Sequence, residues 1–157
     1  MAAKADTSLF KPELVFFDFE ATTRDELFSE LGARLDAQGY IKDTWYEAVT
    51  TRERKYPTGL QTPTLALAIP HADPQYLERP YIAIVKPKVP IEFEAMAGIG
   101  DPVDARLIIN LGVLRDGGQV EVLQTLMNIF MDDGAAAGIM AQDTPEGMVS
   151  AITEHFA

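Results

Sequence analysis

Apolar positions fall in two rhythms along this chain. Leu14-Val15-Phe16-Phe17 is a brief apolar run closed by Asp18 and Glu20, and reads as a short strand. Leu27, Leu31 and Leu35 then recur every four residues with Phe28 beside them, the stripe of a helix. Thr23 and Glu26 stand ahead of it at capping-box spacing, and Gly39 can take the left-handed conformation that ends helices. The pattern therefore predicts a helix over 24–38. A second helix is expected over roughly 44–54, capped by Asp43 or Thr44, with Trp45, Ala48 and Val49 inward and Pro57 and Gly59 breaking it. Thr64–Ile69, Tyr81–Lys86 and Arg106–Val113 read as strands, the last close to continuously apolar, as a strand buried on both faces should be. Gly117-Gly118 leads into a helix over 119–131, with Val120, Leu123, Leu126, Met127 and Phe130 on its apolar face. A short helix of small residues is expected from Gly134 to Ala141. Thr144-Pro145-Glu146 starts a last one, running to about Phe156. Mixed strands and helices in this order imply a layered α/β domain.

Composition narrows the function classes. The chain has 157 residues, 47% of them apolar, enough for one domain with its own core. Residues 1–10 are expected to form a short leader and 11–157 the domain. Cysteine is absent from the sequence, which removes thiol catalysis, disulfides and cysteine metal sites together. With 24 acids against 13 bases the net charge is -11, a surface that repels phosphodiester backbones, so nucleic acid is not an expected partner. The longest apolar stretch, Leu107 to Leu114, falls well short of the roughly 18 residues of a membrane span, and the first ten residues lack a hydrophobic signal segment. A cytoplasmic location is the expectation.

The chemistry concentrates at Ala68 to Pro74, AIPHADP, which holds one of only two histidines. His71 follows a buried strand that Pro70 terminates. In layered α/β domains, loops beyond strand ends gather functional groups. A neutral imidazole there is a competent nucleophile and can carry a phosphoryl group. Such a site needs donors for the phosphoryl oxygens. Arg52 and Arg54 offer planar forks in "TRERKYPTGL", Lys55 lies beside them, and the Thr58 hydroxyl and Gly59 amide are further candidates. The loop Asp116-Gly117-Gly118 opens a helix N-terminus that begins with Gln119.

Plainer readings compete with each of these. A lone histidine beside an apolar run is more often a hydrogen-bonded structural residue. Arginines at a helix end more often complement the macrodipole, and paired glycines more often simply turn the chain. Asp73 either orients the ring or caps the turn into Pro74, the second being the simpler role. His155 reads as a surface residue. Two distant histidines make a poor metal set, and Ser8, Ser29 and Ser150 all lack a nucleophile-elbow context.

The stretch TRERKYPTGLQTPTLALAIPHAD resembles the active-site segment of the IIA components of the bacterial phosphoenolpyruvate-dependent sugar phosphotransferase system, in the fructose/mannitol superfamily. Pro57-Thr58-Gly59-Leu60 and Pro70-His71-Ala72-Asp73 are most similar to the galactitol-type branch. RPYIAIVKPKVPIEFEAMAG and VDARLIINLGVL with QVEVLQTLMNIF extend the likeness over roughly residues 14–156. The resemblance implies one mixed β-sheet with helices on both faces, and neither metal nor organic cofactor. It implies that His71 accepts a phosphoryl group from the carrier HPr and passes it to a cysteine of a IIB partner, with a membrane IIC in the same system. Arg52 matches the family arginine near the site. Gln119 stands where the mannitol and fructose branches often carry a second histidine, and Ala66 where they often carry glycine. Gln119 offers an amide to a phosphoryl oxygen but neither charge nor titration. A regulatory IIA-like protein, phosphorylated on His71 but acting by protein binding, is the second expectation, and a non-catalytic α/β domain the third.

Overall fold

A computed structural model describes residues 7–98, 100–112 and 119–156, with positions 119 and 120 described through backbone alone. The first strand, β1, spans Phe10–Phe19. It is longer than its apolar run suggested, and Leu9 and Phe10 at its start are buried. Pro12 is accommodated because β1 is an edge strand, where a missing N–H does no harm. Helix α1 spans Arg24–Ala37, and Thr23 caps it by accepting from the Glu26 amide at 3.1 Å. The Glu26 carboxylate closes back on Thr22 rather than on Thr23, accepting from its amide and its hydroxyl, both at 2.8 Å. Helix α2 spans Trp45–Lys55. Thr44 occupies its cap position without a side-chain bond.

The remaining elements are β2 (Gly59–Gln61), β3 (Ala66–Ala68), β4 (Tyr81–Pro87), β5 (Ile91–Phe93), β6 (Val103–Ala105), β7 (Leu107–Gly112), α3 (Gln119–Met131), α4 (Asp133–Met140) and α5 (Pro145–Thr153). Five strands form one mixed sheet in the order β1-β4-β7-β3-β2. The β1/β4 and β3/β7 pairs are parallel, while β4/β7 and β2/β3 are antiparallel. β5 and β6 pair apart from that sheet. The sequence pattern passed over β2, β5 and β6: each is three residues long, too short for alternation to register.

The sheet divides two cores, as the pleat requires. Tyr81, Ala83 and Val85 of β4 face α1 and α2, together with Leu27, Phe28, Leu31, Trp45 and Val49. Ile82 and Ile84, with Leu107, Ile109 and Leu111 of β7, face α3, α4 and α5. The fold is thus an α/β domain with helices on both faces. The buried stripe of α3 is Val122, Leu126, Ile129 and Phe130, rotated from the expected one. Central strand β7 is buried at all six positions, including the polar Asn110. Gly112 lies opposite Tyr81. A Cβ there would come within 2.3 Å of the tyrosine ring, so only glycine fits.

Candidate functional site

His71 sits just beyond β3, where Pro70 ends the strand. Its two flanking peptides are pinned to the end of β7. The Leu111 amide donates to the Pro70 carbonyl at 2.9 Å, and the Ala72 amide donates to the Leu111 carbonyl at 2.8 Å. The histidine backbone therefore has little freedom, while the residue as a whole stays partly exposed. Nδ1 is enclosed and makes no hydrogen bond of normal geometry. It is the one buried side-chain nitrogen or oxygen among the described residues in that position. Nε2 is then the nitrogen on the accessible side.

Burial holds the His71 imidazole below its ordinary pKa, and the nearby Arg52 charge pushes the same way. The Ile69 carbonyl and Asp73 favour the protonated ring but do not offset those effects. The ring is neutral near pH 7, with a lone pair to donate.

Arg52 comes from the last turn of α2 and reaches Asp73, Nη1 to Oδ1 at 3.0 Å, with both side chains about one-third exposed. Asp73 therefore does not cap the turn through its side chain: the Pro74–Tyr76 turn is closed by the Tyr76 amide donating to the Asp73 carbonyl. Arg52 and Asp73 help line an open cleft of about 430 Å³ with Lys55, Tyr56 and Tyr76. The Arg52 and Lys55 cations lie 5.7 Å and 5.6 Å from the Tyr56 ring centre.

Arg54 is not part of this cleft. Two residues along a helix is more than half a turn, and Arg54 lines a separate hollow with Thr23, Arg24 and Phe28. Nor are Thr58 and Gly59 free donors. The Thr58 hydroxyl donates to Glu53 Oε1 at 2.9 Å, its amide donates to Glu53 Oε2 at 2.7 Å, and the hydroxyl accepts from the Ile69 amide at 3.2 Å. The Gly59 amide donates to the Glu94 carbonyl at 3.0 Å. A Cβ on Gly59 would lie 2.5 Å from that same oxygen, which makes glycine a packing requirement here. These residues brace the site from behind. Gln119 is the first residue of α3, but its side chain and the Asp116-Gly117-Gly118 loop lie outside the described residues. His155 is exposed beside Glu154 at the end of the chain.

Two braces escaped the sequence reading. Glu53 is buried, and its burial raises its pKa to about 7 against the pull of Thr58, Arg24 and Arg52. Its signal was present: Trp45, Val49 and Glu53 recur every four residues, which places Glu53 on the inner stripe of α2 rather than among the solvated charges around it. The second brace is Asn110, a polar residue inside a buried strand, where burial demands hydrogen-bond partners.

The family model "Phosphoenolpyruvate-dependent sugar phosphotransferase system, EIIA 2" matches residues 8–155. The galactitol-specific EIIA component of Escherichia coli K12 is 30% identical over 103 residues, covering 66% of this chain and 68% of that protein. Among solved structures, the nitrogen regulatory protein IIA-Ntr from Neisseria meningitidis superposes with a TM-score of 0.72 at 21% identity, over 94% of this chain and 98% of that one. The mannitol enzyme IIA of Escherichia coli, solved in complex with phosphorylated enzyme IIB, superposes with a TM-score of 0.69 at 18% identity, over 90% of this chain and 95% of that one. Both superpositions speak to the fold. Among the described residues no helix is long and apolar enough to cross a membrane.

Proposed function

We propose, for a chain that belongs to the EIIA type-2 family of the phosphoenolpyruvate-dependent sugar phosphotransferase system, that His71 is the residue that carries the phosphoryl group. The observation that carries this reading is the pairing of an enclosed Nδ1 with an accessible Nε2 on a backbone pinned at both flanking peptides. With the proton on Nδ1, Nε2 attacks phosphorus. The Nε2–P bond forms as the bond to the donor's leaving group breaks, and the electron pair of that bond stays with the donor. In the second transfer a cysteine sulfur attacks the same phosphorus, and the Nε2–P pair returns to the imidazole. A neutral ring is the reactive form, and the depressed His71 pKa favours it.

Arg52 supplies positive charge beside the ring. When the phosphoryl group arrives, its guanidinium can turn from Asp73 to the incoming oxygens, with a planar fork suited to them. Asp73 holds the arginine beside the ring until the phosphoryl group arrives. Gln119 is a second donor on the strength of its place in the sequence. The donor protein is HPr, the acceptor a IIB component serving a membrane IIC, and the place of work the cytoplasm. The cargo reading follows the galactitol-type likeness: uptake of a sugar or polyol of that kind.

The test is a reconstituted relay. Phosphoenolpyruvate, the first enzyme of the system and HPr are supplied, acid-labile phosphate on the chain is followed, and a galactitol-type IIB is then added. Transfer of the label to the IIB cysteine supports the transport role. A phosphorylated chain that never labels IIB supports the regulatory one.

A further inference from the structure

A buried hydrogen-bond chain runs from the start of α2 to the peptide that precedes His71. Trp45 Nε1 donates to the Tyr81 hydroxyl at 3.0 Å, the Tyr81 hydroxyl donates to Asn110 Oδ1, and Asn110 Nδ2 donates to the Pro70 carbonyl at 3.0 Å. All three side chains are fully buried. The direction of the chain is forced by its ends. An indole nitrogen only donates and a carbonyl only accepts, so the tyrosine hydroxyl must pass its proton towards Asn110 and the asparagine amide must face Pro70.

The Pro70 carbonyl thus accepts twice, from Asn110 and from the Leu111 amide at 2.9 Å. Its peptide plane is fixed by both lone pairs, and the next atom along the backbone is the His71 nitrogen. A mainly stabilising role would be served as well by apolar side chains, since a well-packed replacement of both partners is nearly neutral. What apolar side chains cannot do is orient a carbonyl. The chain also starts on the helix that carries Arg52, so one network ties the peptide behind the nucleophile to the helix of its charged neighbour.

We propose that Asn110 is a positioning residue for His71, acting through the Pro70 carbonyl and held in turn by Tyr81 and Trp45. The inference rests on the reading of His71 as the phosphoryl acceptor.

The informative variant is the double replacement Asn110→Leu with Tyr81→Phe, which removes the polar pair while keeping its volume. Three quantities are compared with the unaltered chain: melting temperature, the kinetics of phosphoryl uptake from the phosphorylated donor, and the ¹⁵N shifts of the His71 ring. The expected result is a kcat lower by between about tenfold and a hundredfold, with KM for the donor protein unchanged, altered His71 shifts, and a melting temperature that does not follow the rate. A wild-type rate together with wild-type His71 shifts would overturn the proposal, however much stability was lost. Should the double variant fail to fold, Tyr81→Phe alone, assayed well below its melting temperature, is expected to move the same shifts in the same direction. Unmoved shifts in that variant overturn the proposal equally. If the unaltered chain accepts no phosphoryl group, the functional reading fails by itself, and the ring shifts still decide whether Asn110 positions His71.

Discussion

The Arg52 guanidinium meets the Asp73 carboxylate at 3.0 Å, linking the last turn of α2 to the loop that carries His71. Both side chains are about one-third exposed, so the pair adds about 0–1 kcal/mol to stability. Its larger consequence is electrostatic. Asp73→Asn is expected to melt within a few degrees of the unaltered chain. Arg52→Ala is expected to slow phosphoryl uptake by about a hundredfold or more, as loss of a charge-stabilising donor does. Arg52→Lys should recover only part of that rate, because an ammonium lacks the planar fork. Calorimetry and uptake kinetics on the three variants check this, and an Arg52→Ala rate equal to wild type would remove Arg52 from the site.

The same two residues act in opposite senses on the titration of His71, which burial dominates. Burial, then Arg52, depress its pKa below 6.5, while Asp73 works against them. The NMR midpoint of the ring is therefore expected below 6.5, higher in Arg52→Gln and lower still in Asp73→Asn. The unfolded ring binds its proton more tightly than the folded one. The stability tied to neutral His71 is thus present above pH 6.5 and is lost as pH falls through the folded midpoint. His71→Gln should remove this part of the acid loss in a pH series of denaturant melts.

Glu53 acts with the opposite sign. Its folded pKa of about 7 exceeds the ordinary 4.5 because burial disfavours the carboxylate. The stability it contributes is fully present below about pH 4.5 and is lost as pH rises through about 7, by roughly 3 kcal/mol at most. Glutamine mimics the protonated acid, accepting from the Thr58 amide and donating to its hydroxyl. Glu53→Gln is expected to match the unaltered chain near pH 5 and to exceed it near pH 8. His71 titrates in both proteins, so the difference between them isolates Glu53. A stability difference that does not change with pH would contradict the buried, easily protonated acid.

Thr58 is expected to matter for folding more than for transfer. Thr58→Val strands the Ile69 amide and one Glu53 oxygen. Each stranded buried group costs about 1–3 kcal/mol. Thr58→Ser should restore most of the melting temperature. Folded Thr58→Val should still take up phosphoryl on His71, because the hydroxyl faces the glutamate and not the nucleophile.

The elements with strong local signals are legible in the sequence alone. Thr23 and Thr144 cap their helices, accepting from Glu26 and Gly147, and the four-residue leucine spacing of α1 is its buried stripe. Short strands such as β2 were hidden because three residues carry no period. Within the site, His71 stood out by its rarity and by Pro70. The candidate donors were harder, since adjacency in sequence says nothing about which face a side chain takes. Arg52 and Arg54 are two residues apart and line different hollows. Thr58 looked like a free hydroxyl because its partner, Glu53, lies within a run of charged residues, Arg52 to Lys55, and was not among the candidate residues. The Trp45–Tyr81–Asn110 chain joins three distant segments: the sheet register, with Ala83 opposite Asn110 and Tyr81 opposite Gly112, brings Tyr81 near Asn110, and the packing of α2 on that face of the sheet adds Trp45.

The central claim is that His71 alone carries the transferred group. Its most direct test is intact-mass measurement after incubation with phosphoenolpyruvate, the first enzyme of the system and HPr, on the unaltered chain and on His71→Ala. The prediction is a single acid-labile phosphoryl group on the first and none on the second. Equal uptake by His71→Ala would contradict it.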